Sequence, residues 1–77
     1  MIHRASIVIP CFNRERFIGE AIDSALRQGP DVEVVVVDDG STDGSWPVIE
    51  SFGGRIRSAR TANRGPGAAR NTGVSLA

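Results

Sequence analysis

The sequence predicts an α/β fold of the Rossmann-like, three-layer type, in which three parallel strands alternate with three helices as βαβαβα. Two observations carry this prediction. Residues 32–37 form a run of valines with Glu33 as the one polar exception, which is typical of a central strand covered on both faces. The preceding segment has apolar residues at helical spacing, and short connections join it to strands on either side. Because such crossovers are right-handed, we predict parallel strands in the order 3-2-1.

Composition limits the classes of protein that fit. Seventy-seven residues, 40% of them hydrophobic, suit one small domain. Nine basic residues, all arginine, balance nine acidic ones, which argues against nucleic acid as a partner. The one cysteine, Cys11, is expected to be a small packing residue in a reducing compartment. With neither an apolar segment of bilayer length nor a signal peptide, we expect a cytoplasmic location and no membrane segment in this part.

The first half of the chain predicts a strand, a helix and the valine strand. The first strand covers residues 5–9 and ends at Pro10, which cannot donate to a sheet ladder. Asn13 is predicted to cap a helix that runs from about Arg14 to Gln28, where a Gly-Pro pair stops it. The apolar stripe of this helix consists of Phe17, Ile18, Ala21, Ile22, Ala25 and Leu26.

The second half predicts two more helices and a weaker strand. A short helix runs from Asp43 or Ser45 to Phe52, and a Gly-Gly pair ends it. Its predicted sheet-facing side chains are Trp46, Ile49 and Phe52. Residues 55–60, in which arginines alternate with smaller residues, predict an edge strand. Residues 67–77 predict a third helix with a narrow face of small residues.

Two adjacent acids follow the valine strand directly. Asp38 and Asp39 precede a glycine and the sequence Ser-Thr-Asp, which favours a turn into a helix. In open parallel sheets, ligands bind beyond the carboxyl ends of the strands. The alternative is a turn with a capping aspartate. The whole string favours a binding site at this edge of the sheet.

Three motifs, in order, resemble the start of family 2 glycosyltransferases. They are Ile-Val-Ile-Pro-Cys-Phe-Asn at 7–13, Val-Val-Asp-Asp-Gly-Ser-Thr-Asp at 36–43, and Asn-Arg-Gly-Pro-Gly-Ala-Ala-Arg-Asn-Thr-Gly at 63–73. The resemblance implies a GT-A fold and transfer of a sugar from a nucleotide diphosphate sugar donor to an acceptor, usually with inversion. Residues 1–77 are then expected to be the N-terminal part of a single GT-A domain, truncated before its Asp-x-Asp strand.

The resemblance also implies roles for five residues. Pro10 and Phe12 would lie beside the base of the nucleotide, Asp39 would accept from a ring N–H, Asp38 would support it or meet the ribose, and Arg70 would face the nucleotide as a fixed positive group. Phe12 replaces the commoner tyrosine of that loop. Two alternatives remain open. Phe12 equally suits packing against the first helix. The position of Arg70 by itself favours an exposed helix residue, and only the Ala-Arg-Asn-x-Gly context favours a role at the nucleotide.

By the same resemblance, the full enzyme uses a divalent cation, Mg²⁺ or Mn²⁺, whose ligands lie outside this segment. Neither a catalytic residue nor a metal ligand is expected in this segment. Asp43 could be considered as a metal ligand, but it is better placed as a helix cap. The segment alone is therefore expected to transfer no sugar, and to self-associate through an open edge of its first strand. The acceptor is unknown. The competing hypothesis is a truncated or decayed, non-catalytic module for nucleotide binding or interaction.

Overall fold

A computed structural model describes residues 5–62 and 73–74, and these form one layered α/β arrangement. Three strands pair in parallel in the order β1-β2-β3, which confirms the predicted fold class and strand order. The elements, in chain order, are β1 (Ala5–Cys11), α1 (Ile18–Leu26), β2 (Val32–Asp38), α2 (Ser45–Glu50), a 3₁₀ turn (Gly53–Arg55) and β3 (Arg57–Arg60).

The valines of β2 alternate between two covered faces of the sheet. Val34 and Val36 are buried in a cluster with side chains of α1 and α2. Val35 and Val37 are buried on the opposite face, where Val8 packs against them. Helical residue Gly73 lies on this second face. The unbroken valine run therefore reflects a strand that buries both of its faces.

The first helix is shorter than predicted, because residues of its expected first turn form hydrogen bonds with residues near the start of α2. It begins at Ile18 rather than at Arg14, and Phe17 is its N-cap residue. The N–H groups of Arg14 and Glu15, which were predicted to be helical, donate to the side chains of Ser45 and Asp43, as described below. Phe17, predicted to be on the apolar stripe, is 62% exposed, and Ala21 is also exposed. The side chains that α1 buries are Ile18, Ile22 and Ala25.

Two further boundaries differ from the prediction. Pro10 does not end β1, since it pairs in register with Val37 and the strand continues to Cys11. Within the described sheet β1 is an outer strand, where a missing backbone donor is tolerated. The third strand begins at Arg57 because the residues before it form the 3₁₀ turn.

The second helix packs as predicted. Ile49 is buried in the cluster below the sheet, and Trp46 and Phe52 are partly buried against it. The predicted third helix lies outside the described residues, apart from positions 73 and 74, which are helical. In the part of the chain that the structure describes, none of the helices has the length and apolar character needed to cross a bilayer.

Candidate functional site

All three strands end at one edge of the sheet, where the two acids lie. Cys11 pairs in register with Asp38, and Asp38 pairs with Arg60. The N–H of Asp39 donates to the Cys11 carbonyl at 2.8 Å, and the N–H of Thr61 donates to the Asp38 carbonyl at 2.8 Å. The backbone of both acids is therefore held from both sides, at the edge where ligands bind in open parallel sheets.

Asp38 is fully buried and organises the loop that follows it. Its Oδ1 accepts from the N–H of Ser41 at 3.3 Å and from the Ser41 hydroxyl. Its Oδ2 lies 3.3 Å from Nε of Arg60, an ion pair whose geometry is not that of a hydrogen bond. These contacts tie Asp38 to loop residue Ser41 and to Arg60 of β3, and both roles predicted for Asp38 stay predictions.

Asp39 is also buried, with 3% of its surface exposed. Its Oδ1 accepts from the Thr61 hydroxyl, which follows β3, at 3.3 Å. A carboxylate buried at a strand end costs free energy unless it gains partners there. Its place directly after β2, at the edge where ligands bind in open parallel sheets, makes it a candidate for ligand recognition.

The loops before α1 and α2 are joined by a set of hydrogen bonds that we call the loop clamp. Loop 1 comprises residues 12–17 and loop 2 residues 39–44. The clamp bonds run from Asn13 N to Ser41 Oγ (2.9 Å), Arg14 N to Ser45 Oγ (2.8 Å), Glu15 N to Asp43 Oδ2 (3.2 Å), Thr42 N to Asn13 Oδ1 (2.8 Å) and Gly44 N to Glu15 Oε1 (3.2 Å). The clamp fixes the two loops relative to each other beside the acids.

Asn13 is a clamp residue and not the helix cap that the sequence predicted. Its φ is 51°, in the left-handed region that asparagine tolerates better than most residues. This conformation places its side-chain oxygen on the N–H of Thr42 and its own N–H on the Ser41 hydroxyl. Asn13 thus turns the chain out of β1 and bonds loop 1 to loop 2.

Asp43 was predicted to cap α2, but the N-cap residue of this helix is Gly44, and Asp43 lies one residue before it. Its Oδ1 accepts from the N–H of Ser45 at 2.9 Å, while Oδ2 takes part in the clamp. Hydrogen bonding by the Ser45 side chain, and to a smaller extent by backbone N–H groups, lowers the pKa of Asp43 below its ordinary value. The ionised form is therefore the one that the folded protein favours.

This lowered pKa predicts a pH dependence. A depressed pKa in the folded state contributes stability above the unfolded pKa of about 4, and the contribution is lost as pH falls through the folded value. Asp43→Asn should therefore flatten the acid side of the stability profile. Unfolding free energies measured by urea titration across the acid range check this, with Asp23→Asn on α1 as the control for removal of an exposed carboxylate. An unchanged acid profile in Asp43→Asn would contradict the assignment.

The thiol of Cys11 is a packing group, as predicted. It is buried in the cluster beneath α1 and α2. Burial raises the pKa of this thiol, and the charge of Asp38 acts in the same direction. A thiol held neutral in this way is a poor nucleophile.

The remaining predicted site residues fall into two groups. Pro10 lies in β1 near the acids, and Phe12 lies in loop 1 with 41% of its surface exposed. The exposed ring is available for stacking, although its contact with a nucleotide stays a prediction. Arg70 lies outside the described residues.

Sequence reasoning missed the contacts of Arg60, which ends the outer strand β3 beside Asp38. Its Nη2 donates to the Ser41 carbonyl at 2.7 Å, and its guanidinium lies 5.9 Å from the centre of the Trp46 ring. The alternation of arginines in β3 predicted only an exposed edge. The register that places Arg60 opposite Asp38 is the signal that identifies it, and this register is not visible in the sequence.

The acids of this edge have hydrogen-bond partners within the protein. Among residues 5–62 and 73–74, no group of three or more His, Cys, Asp or Glu side chains is arranged to hold a metal ion. Asp43 accepts from two backbone N–H groups, and Asp38 from Ser41.

Solved structures with a similar fold define the class of protein to which this fold belongs. The chain matches a mannosyltransferase from Pyrobaculum calidifontis, PcManGT, in complex with GDP-Man and Mn²⁺, with a TM-score of 0.76 and 26% identity over 100% of this chain and 25% of that one. It matches residues 1–349 of S. aureus TarS in complex with UDP-GlcNAc with a TM-score of 0.76 and 32% identity, over 100% and 24% of the two chains. The fold is that of the GT-A glycosyltransferases.

The sequence comparison identifies the family. The profile of Glycosyl transferase family 2 matches residues 6–77, so the chain belongs to that family, as the three motifs predicted. It is 44% identical over 81 aligned positions to the uncharacterized glycosyltransferase EpsJ of Bacillus subtilis, covering 100% of this chain and 24% of EpsJ. The chain thus spans about a quarter of the length of this relative.

Proposed function

We propose that residues 1–77 are the nucleotide-binding, N-terminal part of a GT-A domain that transfers a sugar from a nucleoside diphosphate sugar to an acceptor with inversion. The observation that carries the proposal is Asp39, a buried carboxylate at the ligand-binding edge of a parallel sheet. Family membership supports glycosyl transfer. Two similar structures contain nucleotide sugars, GDP-Man and UDP-GlcNAc.

In this proposal each residue of the edge has a distinct role. Asp39 accepts a hydrogen bond from a ring N–H of the base. Phe12 and Pro10 lie beside the base, where the exposed ring of Phe12 provides a stacking surface. Asp38 supports Asp39 by fixing loop 2, and Arg70 supplies a positive charge facing the nucleotide.

The remainder of the reaction is assigned to residues beyond this segment. Transfer with inversion needs a base for the acceptor hydroxyl and a positive group for the departing diphosphate. We place both, together with the ligands of a divalent cation, Mg²⁺ or Mn²⁺, outside residues 1–77, so this segment alone transfers no sugar. A cytoplasmic location and self-association through β1 stay predictions of the sequence.

Asp39→Ala should weaken donor binding in the protein that carries this segment. Loss of a buried acceptor that faces a ring N–H costs about 1 to 3 kcal/mol, or roughly 5- to 150-fold in Kd. Isothermal titration with nucleoside diphosphates measures this, and a panel of UDP, GDP, ADP and CDP identifies the base that binds. Glu50→Ala, at the exposed end of α2, is the matched control for the loss of a carboxylate.

The outcomes of these measurements separate the glycosyltransferase from the non-catalytic module for nucleotide binding. Equal affinities for Asp39→Ala and Glu50→Ala would remove Asp39 from the site. Nucleotide binding that depends on Asp39, without release of nucleoside diphosphate from any nucleotide sugar by the whole protein in the presence of Mg²⁺ or Mn²⁺, would favour the non-catalytic module. Binding together with turnover supports the glycosyltransferase.

A further inference from the structure

Two successive residues at the end of β3 contact the two acids one at a time. Arg60, the last residue of β3, pairs in register with Asp38, and its Nε lies 3.3 Å from Oδ2 of that acid. Thr61 follows Arg60, and its hydroxyl donates to Oδ1 of Asp39 at 3.3 Å. Each acid therefore has a separate side-chain contact at this end of β3.

The backbones of Asp39 and Thr61 are held by bonds that continue the sheet beyond its strands. The N–H of Asp39 donates to the carbonyl of Cys11 at 2.8 Å, and the N–H of Thr61 donates to the carbonyl of Asp38 at 2.8 Å. Threonine is β-branched, so its χ1 torsion is restricted and its hydroxyl has few alternative positions. The contact between Thr61 and Asp39 is therefore built into the sheet edge.

The hydroxyl of Thr61 has one proton and two acceptors within reach. Oδ1 of Asp39 lies at 3.3 Å, and the carbonyl of Asp38 lies at 3.5 Å. The more distant acceptor, the Asp38 carbonyl, already accepts from the N–H of Thr61. The hydroxyl proton is therefore assigned to Asp39, the acid proposed to recognise the base.

A carboxyl group that is held in one orientation is a better partner for a base than one that rotates. The proposed role of Asp39 requires one of its oxygens to face a ring N–H. Ordering a side chain when a ligand binds costs free energy, and a side chain already held in the free protein avoids that cost. A bond to Oδ1 restricts the last torsion of Asp39, the one that sets the direction of both oxygens.

We propose that Thr61 is a positioning residue for nucleotide recognition, which holds Oδ1 of Asp39 and so orients the carboxyl group toward the ring N–H of the base. Thr61 acts through Asp39 and does not itself contact the nucleotide. The inference rests on the proposed nucleotide-binding function. It adds a residue that lies between the second and the third sequence motifs and belongs to neither.

The test compares Thr61→Val, which removes the hydroxyl and retains the branched shape, with Thr61→Ser, which retains the hydroxyl. Thr61→Val is also combined with Asp39→Ala. Calorimetry on the protein that carries this segment measures Kd for whichever of UDP and GDP the unmodified protein binds better, because both bases have a ring N–H. Ser58→Ala is the matched control, since it removes an exposed hydroxyl from β3. Thermal melting confirms that each variant is folded at the temperature of the titration.

We expect Thr61→Val to raise Kd about fivefold, the size of effect that follows when one side chain has to be ordered on binding. Thr61→Ser and Ser58→Ala should stay within about twofold of the unmodified protein, because the first keeps the donor and the second lies away from the acids. In the Asp39→Ala background, Thr61→Val should change Kd by less than about twofold, since a residue that acts through another has no effect once that other is removed.

Three results would overturn the proposal: a Thr61→Val variant with unchanged Kd, a Thr61→Ser variant that loses as much affinity as Thr61→Val, or an equal loss for Thr61→Val with and without Asp39. The last result would show that Thr61 acts on the nucleotide or on the sheet directly. Asp39→Ala separates these failures from that of the proposed function. If Asp39→Ala weakens binding and Thr61→Val does not, only the role of Thr61 is lost. If neither variant changes binding, the nucleotide site itself is misplaced.

Discussion

Replacing Ile22 with alanine is expected to lower the free energy of unfolding by about 2 to 5 kcal/mol, because the removed atoms leave a cavity in a packed interior. Ile22 is fully buried in the cluster that joins α1 to the sheet. The same cluster contains Val36 of β2 and Ile49 of α2. Loss of this side chain therefore weakens the contact of both helices with the central strand.

Chemical denaturation of the protein that carries this segment measures the change, with Phe17→Ala as the control. Phe17 is larger than Ile22 and immediately precedes α1, yet most of its surface is exposed. Its truncation should cost less than about 1 kcal/mol, since little apolar area returns to water. Similar losses for the two variants would mean that α1 presents a different face to the sheet.

Gly73→Ala is expected to destabilise the fold by about 1 to 3 kcal/mol, the usual range for overpacking. A Cβ at this position would overlap Cγ1 of Val8 and lie 3.4 Å from Cγ2 of Val37. Valine side chains have a single torsion and move little within a sheet. The clash should outweigh the gain of about 1 kcal/mol that alanine brings to a helix.

Gly54→Ala provides the comparison for Gly73→Ala. A Cβ on Gly54 meets no atom within 4 Å, so the same substitution there should be close to neutral. The two variants are compared by their denaturation midpoints at equal slope. A Gly73→Ala variant as stable as Gly54→Ala would show that the helix can move away from the sheet without cost.

The features that the sequence predicted correctly depend on short, local patterns. The valine run identified β2, and the two acids after it identified the carboxyl edge, because strand burial and strand ends are visible in consecutive residues. The short connections then fixed parallel pairing through a general rule of handedness. The spacing of Trp46, Ile49 and Phe52 placed α2 against the sheet.

The features that it missed depend on partners far along the chain. An asparagine between a strand and a helix fits an N-cap, yet the partners of Asn13 lie 28 and 29 residues away. Arg14 and Glu15 were assigned to the helix for the same reason. Arg60 was assigned to an exposed edge because only the register with β2 places it beside Asp38. Local propensity does not contain this information.

The loop clamp also limits how this part of the chain can change in length. Each of its bonds joins one residue of loop 1 to one residue of loop 2 or to the first residue of α2. An insertion or deletion in either loop therefore displaces the residues that follow it from their hydrogen-bond partners. We therefore expect a change in the length of one loop to break the clamp unless the other loop changes with it. The turn at Gly29 and Pro30, at the other end of the sheet, closes on itself through a bond from Val32 N to Gly29 O. A reporter peptide or additional residues placed at that turn would leave the loop clamp intact.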